Sequence, residues 1–173
     1  HFGQYDQGRK TARMFANFLE RSRVTCHDIF TQIDAHHTGH VLPDHLRSAL
    51  QALSTHIPDA DLQDAVDRLK LDKHGMITFA TFAMCFGLLR SVTALVRKAF
   101  RKRHGGLSLG VLLLYDRNHK GWISRSEVMA MLSDVGLNLE RDGSDELLDA
   151  VDRSRDGRVH FDTFLSVVGV AKS

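Results

Sequence analysis

Cysteine is scarce: Cys26 and Cys85 are the only two in 173 residues. Both stand at helix-spaced positions among apolar residues, so two buried thiols in a reducing compartment are expected rather than a disulfide. Long apolar runs are also missing. A membrane-spanning helix needs about eighteen or more consecutive apolar residues, and the chain has no such run. No basic segment followed by an apolar core opens the chain, so no secretory leader is visible. The chain begins at His1 rather than Met, which suggests a trimmed product or a window of a longer polypeptide. Enzyme signatures are absent as well: no phosphate-cradling glycine loop, no nucleophile elbow, and no catalytic His/Cys arrangement. No enzymatic activity is expected.

What is present is an ordinary globular balance, 43% apolar and 25% charged, with enough chain for one domain or two small lobes. The eleven histidines are many, and the formal net charge is +2.

The main signal is an internal repeat. Gly39, Gly75, Gly121 and Gly157 are each followed two residues later by a β-branched aliphatic residue: Val41, Ile77, Ile123 and Val159. Five residues before each glycine stand Asp34, Lys70, Asp116 and Asp152. The flanks repeat too. Cys26, Ile29, Phe30 and Ile33 precede the first glycine at i, i+3, i+4 and i+7, and Leu62, Ala65, Val66 and Leu69 precede the second at the same offsets. Ser108 and Ser144 open the corresponding third and fourth stretches and are expected to be helix N-caps. Amphipathic stripes follow each loop: Leu46, Ala49, Leu50; Phe82, Cys85, Phe86, Leu89; Val128, Met131, Leu132; Phe164, Val167, Val168.

Helix, twelve-residue loop centred on glycine, helix, four times over: over residues 24–169 the pattern resembles the EF-hand family, and within it calmodulin and the myosin light chains. The resemblance implies an all-α fold of four EF-hand units in two paired lobes, joined by a central helical linker. Loop starts at 34, 70, 116 and 152 are 36, 46 and 36 residues apart, which pairs the first unit with the second and the third with the fourth. The expected domains are residues 1–21, an N-terminal helical segment read as a vestigial hand; 22–90, the first pair; 91–107, a basic linker; and 108–173, the second pair.

In this family calcium takes about six to eight oxygens from loop positions 1, 3, 5, 7, 9 and 12. The first loop has His36 at position 3 and His45 in place of the closing glutamate; the second opens with Lys70 and closes with Thr81. Both are expected to be silent. The fourth keeps Asp152, Ser154 and Asp156 but ends in Thr163, so weak binding or none is expected. The third alone places Asp116, Asn118, the Trp122 carbonyl, Ser124 and Glu127 where the family places ligands, with Lys120 at position 5 as the flaw. Two readings stay open: one calcium ion at the third loop, or a structural loop whose polar side chains cap helix ends.

His36, His37, His40 and His45 lack zinc-site spacing and are read as solvated loop residues, with a pH-sensitive first lobe as the sharper alternative. Leu88, Val92, Leu95, Val96 and Ala99 form an apolar stripe beside Arg97, Lys98, Arg101, Lys102 and Arg103. That combination is read as a linker helix with a solvated basic side, followed by a break at Gly105-Gly106. The resemblance implies a non-enzymatic module that clasps a protein partner, with Phe30, Phe82, Phe86, Met129, Met131 and Phe164 in groove and core. With decayed loops the hold would be largely independent of calcium. Calmodulin-like chains are typically acidic, so a basic one favours an acidic cytoskeletal surface or a helical segment as partner. Contact with anionic lipid is less favoured, and no nucleic acid is expected. A cytoplasmic, cytoskeletal location follows. The alternatives are a single-site calcium sensor on the third loop and the regulatory EF-hand portion of a larger enzyme.

Overall fold

Helix starts are set by the side chains that precede them. Thr25 opens α2 (Cys26–Ile33): its hydroxyl accepts from the Asp28 N–H at 3.1 Å, and the Asp28 carboxylate accepts from the Thr25 N–H at 3.2 Å. This reciprocal capping box satisfies two helix-end donors that would otherwise have no partner. Thr78 caps α5 (Phe79–Phe86) and Ser108 caps α7 (Leu109–Tyr115) through single hydroxyl acceptors. Ser124 and Glu127 make a second full capping box on α8 (Arg125–Asp134). The remaining helices are α3 (Pro43–Leu53), α4 (Asp59–Asp67), α6 (Leu89–His104), α9 (Arg141–Val151) and α10 (Phe161–Val168). A further stretch, α1, is helical over residues 13–19. The computed structural model describes residues 10, 13–19, 21–53 and 57–169.

The chain divides into two compact units, His1–Gly87 and Leu88–Ser173. In the first, β1 (His40–Val41) pairs antiparallel with β2 (Ile77–Thr78), placing Val41 opposite Ile77. In the second, β3 (Trp122–Ser124) pairs with β4 (Arg158–His160), placing Ile123 opposite Val159. The β-branched residues of the repeat therefore meet in pairs, first loop with second and third with fourth. The fold is all-α, with four helix–loop–helix units in two pairs and, among the described residues, only these short bridges as sheet.

Aromatic rings fill the first unit. Phe30 meets Phe79 edge-on at 5.3 Å and stacks on Phe82 at 6.1 Å, while Phe86 contacts Phe82 at 5.3 Å and Phe15 of α1 at 5.6 Å. Offset and edge-on ring pairs add about 0.5–1.5 kcal/mol each beyond the area they bury. Phe15 is fully buried, so α1 belongs to this core. Tyr5 and Asp6, on which the reading of a vestigial hand depended, lie outside the described residues.

The second unit differs from expectation at its start. Residues 91–107, read as a linker, lie largely in α6, which packs against α9 and α10 within the unit. Its buried face is Leu89, Val92, Thr93, Val96 and Phe100, while Leu88 and Leu95 are exposed. The exit helix of the second hand ends at Gly87, so Leu89 belongs to the next helix and Cys85 is exposed rather than buried. Phe79, Phe82, Ala83 and Phe86 already fill the buried side of α5. No disulfide joins the two cysteines.

α9 also begins earlier than Ser144. It starts at Arg141, with Glu140 at the N-cap and Ser144 buried inside. The added turn brings Gly143 against α6, where a Cβ would lie 3.1 Å from Val92 Cγ2, so the absence of a side chain permits the approach. Arg97 of α6 donates to the Val168 carbonyl at the end of α10, and the Leu88 N–H donates to Glu146 at 2.7 Å. Among the described residues, no single helix is long and apolar enough to cross a membrane.

Candidate metal centre

Three loops share one backbone solution. His37, His119 and Arg155, each at loop position 4, take positive φ of 53°, 52° and 55°. The glycines at position 6 take φ of 74° to 85° in all four loops, a region that side chains other than hydrogen disfavour. The sharp turn brings backbone N–H groups onto the first carboxylate. Asp34 accepts from the Thr38 N–H, the Thr38 hydroxyl and the Gly39 N–H, each at 2.8 Å. Asp116 accepts from the Lys120 N–H at 2.9 Å and the Gly121 N–H at 2.8 Å. Asp152 accepts from the Gly157 N–H at 3.1 Å.

The second loop closes differently. Lys70 cannot accept, so Asp72 at position 3 takes the central place; its one signal in the sequence is that no other carboxylate stands in that loop. It accepts from the His74 N–H at 2.8 Å and the Met76 N–H at 3.0 Å. These bonds hold its pKa below the ordinary value, the Met76 N–H foremost, with partial burial opposing.

The expected donors of the third loop lie along its turn and the two elements that follow it. Asp116 is buried at the end of α7, Asn118 is exposed, Trp122 and Ser124 lie on β3, and Glu127 sits in the first turn of α8. One contact changes the chemistry. Lys120 Nζ lies 2.6 Å from Glu127 Oε1, the same oxygen that accepts the Ser124 N–H at 3.0 Å. The Glu127 carboxyl is held below its ordinary pKa, first by the Lys120 ammonium and then by the Ser124 N–H. The ammonium also lies 4.3 Å from the centre of the Trp122 ring. Lys120 is therefore turned inward onto the closing carboxylate, where the family places a metal ion.

The fourth loop is neutralised from its neighbour. Arg125, at position 10 of the third loop, donates to Asp152 Oδ2 at 2.8 Å and to Asp149 Oδ1 at 3.0 Å. Burial alone would lower the pKa of this guanidinium, but its bonds to Asp152 and Asp149 raise it instead. Asp152 Oδ1 is buried without a hydrogen-bond partner. The closing position holds Thr163, so the loop lacks the carboxylate that closes an EF-hand loop.

Residues 111–169 match the family of EF-hand domain pairs. Over that stretch, the second helix–loop–helix pair, the chain is similar to the EF-hand family. It is 25% identical over 145 residues to putative calmodulin-like protein 6 of Oryza sativa subsp. japonica, covering 82% of this chain and 79% of that protein. It is 26% identical over 137 residues to the probable calcium-binding protein CML27 of Arabidopsis thaliana, covering 79% and 72%. It is also 23% identical over 157 residues to calcium-dependent protein kinase 17 of Arabidopsis thaliana, covering 90% of this chain and 28% of the kinase. The relatives covered over most of their length are thus named calmodulin-like or calcium-binding, and the chain spans about a quarter of the kinase.

The family and these relatives imply calcium, which asks each loop for several oxygens and at least one free closing carboxylate. Among the described residues, no cluster of three or more His, Cys, Asp or Glu side chains is set to hold a metal ion. At the third loop the donors Asp116, Asn118, Ser124 and Glu127 suit a hard cation, but the Lys120 ammonium already engages the closing carboxylate. The residues present do not fit the ion. His36, His37 and His45 are exposed.

Proposed function

We propose that the chain is a non-enzymatic, calmodulin-like EF-hand module that holds a protein partner largely independently of calcium. One observation carries this reading: both loop bridges are paired and all four loops are closed by hydrogen bonds from the chain itself. A hand assembled by internal donors has no need of an ion to reach its working shape.

The partner's chemistry follows from α6. Its apolar face is buried against α9 and α10, while Lys98, Arg101, Lys102 and Arg103 remain exposed. An acidic surface such as a cytoskeletal lattice suits this edge better than a helical segment needing the same apolar face. A cytoplasmic, cytoskeletal location goes with it.

The test is co-sedimentation with polymerised tubulin in EGTA and in about 1 mM calcium, the weak end of EF-hand affinities. Binding that is equal in both, falls with added salt, and is lost in Lys98→Glu/Arg101→Glu/Lys102→Glu supports the reading. Binding seen only with calcium would replace it with a single-site sensor on the third loop. Binding to anionic vesicles but not to tubulin would make the partner a membrane.

A second reading, the regulatory portion of a larger enzyme, is favoured by the match to about a quarter of a kinase. The intact mass of the native polypeptide decides it.

A further inference from the structure

Lys120 touches both ends of the third loop. Its backbone N–H donates to Asp116 Oδ1 at 2.9 Å, and its ammonium donates to Glu127 Oε1 at 2.6 Å. Asp116 and Glu127 are loop positions 1 and 12, the two carboxylates a divalent ion joins in this family. The side chain is only 25% exposed and Glu127 28%, so the pair is shielded more than a surface salt bridge. The Trp122 ring covers the ammonium and adds a cation–π contact.

We infer that Lys120 is the resident cation of the third loop: a tethered ammonium that closes the loop onto Glu127 and excludes divalent ions. Two consequences follow. The loop holds its closed form in the absence of metal, because the cation is covalently part of it. The remaining donors are a complete calcium set apart from position 5, so exchanging the ammonium for an oxygen ligand opens a calcium site. Lys120→Asp makes that exchange and raises the carboxylate count at the loop from two to three. Ligand charge is one of the terms that tunes EF-hand affinity across several orders of magnitude.

This deepens the calcium-independent reading, but it is measured by a ratio that the reading does not fix. Calcium affinity is determined by calorimetry for the wild type, Lys120→Asp, Lys120→Met and Lys120→Asp/Glu127→Gln. Trp122 fluorescence reports whether the response is local, and magnesium serves as control. Lys120→Asp should bind calcium at least about 30-fold more tightly than the wild type. Lys120→Met, which removes the charge and supplies no oxygen, should fall between them. The double variant should lose the gain. In EGTA, Lys120→Met should melt below the wild type, because the lock is gone; a structural lysine at the surface would leave the melting temperature unchanged.

The inference is overturned if Lys120→Asp gains less than threefold, or if its gain survives Glu127→Gln. Circular dichroism in EGTA checks that the variants fold, and Lys120→Asn replaces Lys120→Asp if the latter does not. A wild type that itself binds calcium would sink the calcium-independent reading, while the ratio between variant and wild type would still judge Lys120.

Discussion

Replacing Arg125 with methionine should loosen the second unit, because it strips the shared cation from two buried carboxylates. The guanidinium is 36% exposed, but its two partners are not: Asp149 is 3% exposed and Asp152 is 1%. Removing one member of a buried ion pair costs about 3–5 kcal/mol, because the other charge is left uncompensated. A fully exposed pair is worth about 0–1 kcal/mol. The partial exposure of Arg125 places the cost near the lower buried value, about 3 kcal/mol. Asp152 has little to fall back on: it keeps the Gly157 N–H at 3.1 Å, and its Oδ1 is already without a partner. Trp122, the only tryptophan, lies in the second unit and reports its unfolding in urea. With a slope of about 1.5 kcal/mol per molar, the urea midpoint should drop by about 2 M. Arg125→Met/Asp149→Asn should recover part of the loss, since one of the two buried charges is removed with its partner. A drop below about 0.7 M, or strict additivity in the double variant, would refute the reasoning and reduce the bridge to a solvent-screened contact.

The remaining predictions concern the second unit's first helix, its tyrosine and the second loop. Phe100→Ala should cost about 3–5 kcal/mol in the same urea experiment, because the ring is fully buried in the unit; a linker residue would change stability by about 0.5 kcal/mol or less. Tyr115 is raised to about 12 by burial first and then by its 2.6 Å bond to Asp134, with Arg103 opposing. A raised folded value means its contribution to stability is complete below about pH 10 and is lost as pH climbs through about 12. Ultraviolet titration of a Tyr5→Phe variant should therefore show no phenolate near pH 10. Asp72→Ala should speed hydrogen exchange at the Met76 and His74 amides about tenfold, the equivalent of one charged hydrogen bond. Because the Asp72 value is lowered, that protection is present above the ordinary carboxylate range and fades as pH falls through the folded value, below about pH 4.

The loops were readable because their backbone demands a rare residue. A left-handed conformation at position 6 calls for glycine, and a bridge two residues later calls for a β-branched side chain, so register could be counted directly. Helix faces were less secure. The chain from 88 to 100 supports an apolar stripe on Leu88, Val92, Leu95 and Val96 or one on Leu89, Val92, Val96 and Phe100, since both have helical period. The neighbours select the second: with α6 packed against α9 and α10, Phe100 is buried and Leu95 is left in solvent. Ser144 has the residue type of an N-cap, yet it lies inside α9, because Gly143 lets the helix run on past Val92. The direction of long side chains was not readable at all. Composition marks Lys120 as a wrong ligand, but only geometry shows its ammonium turned onto Glu127. Likewise the sequence reading passed over Asp72, and only its bonds to Met76 and His74 place it at the centre of the loop.

The basic charge of the chain and its closed loops are two sides of one change. An EF-hand rich in carboxylates is acidic and repels itself until an ion arrives. Here the loops have lost carboxylates and gained Lys120 and Arg125, which moves the net charge toward positive and removes the repulsion together. Both cations come from the third loop and flank β3. Lys120 precedes the strand and serves the third loop through Glu127, while Arg125 follows it and serves the fourth loop through Asp152. Between them Ile123 is bridged to Val159, so compensation for both loops is anchored on one three-residue strand. An ion in each loop would neutralise each separately and come and go with its concentration. Two side chains that flank one strand neutralise both at once and cannot dissociate.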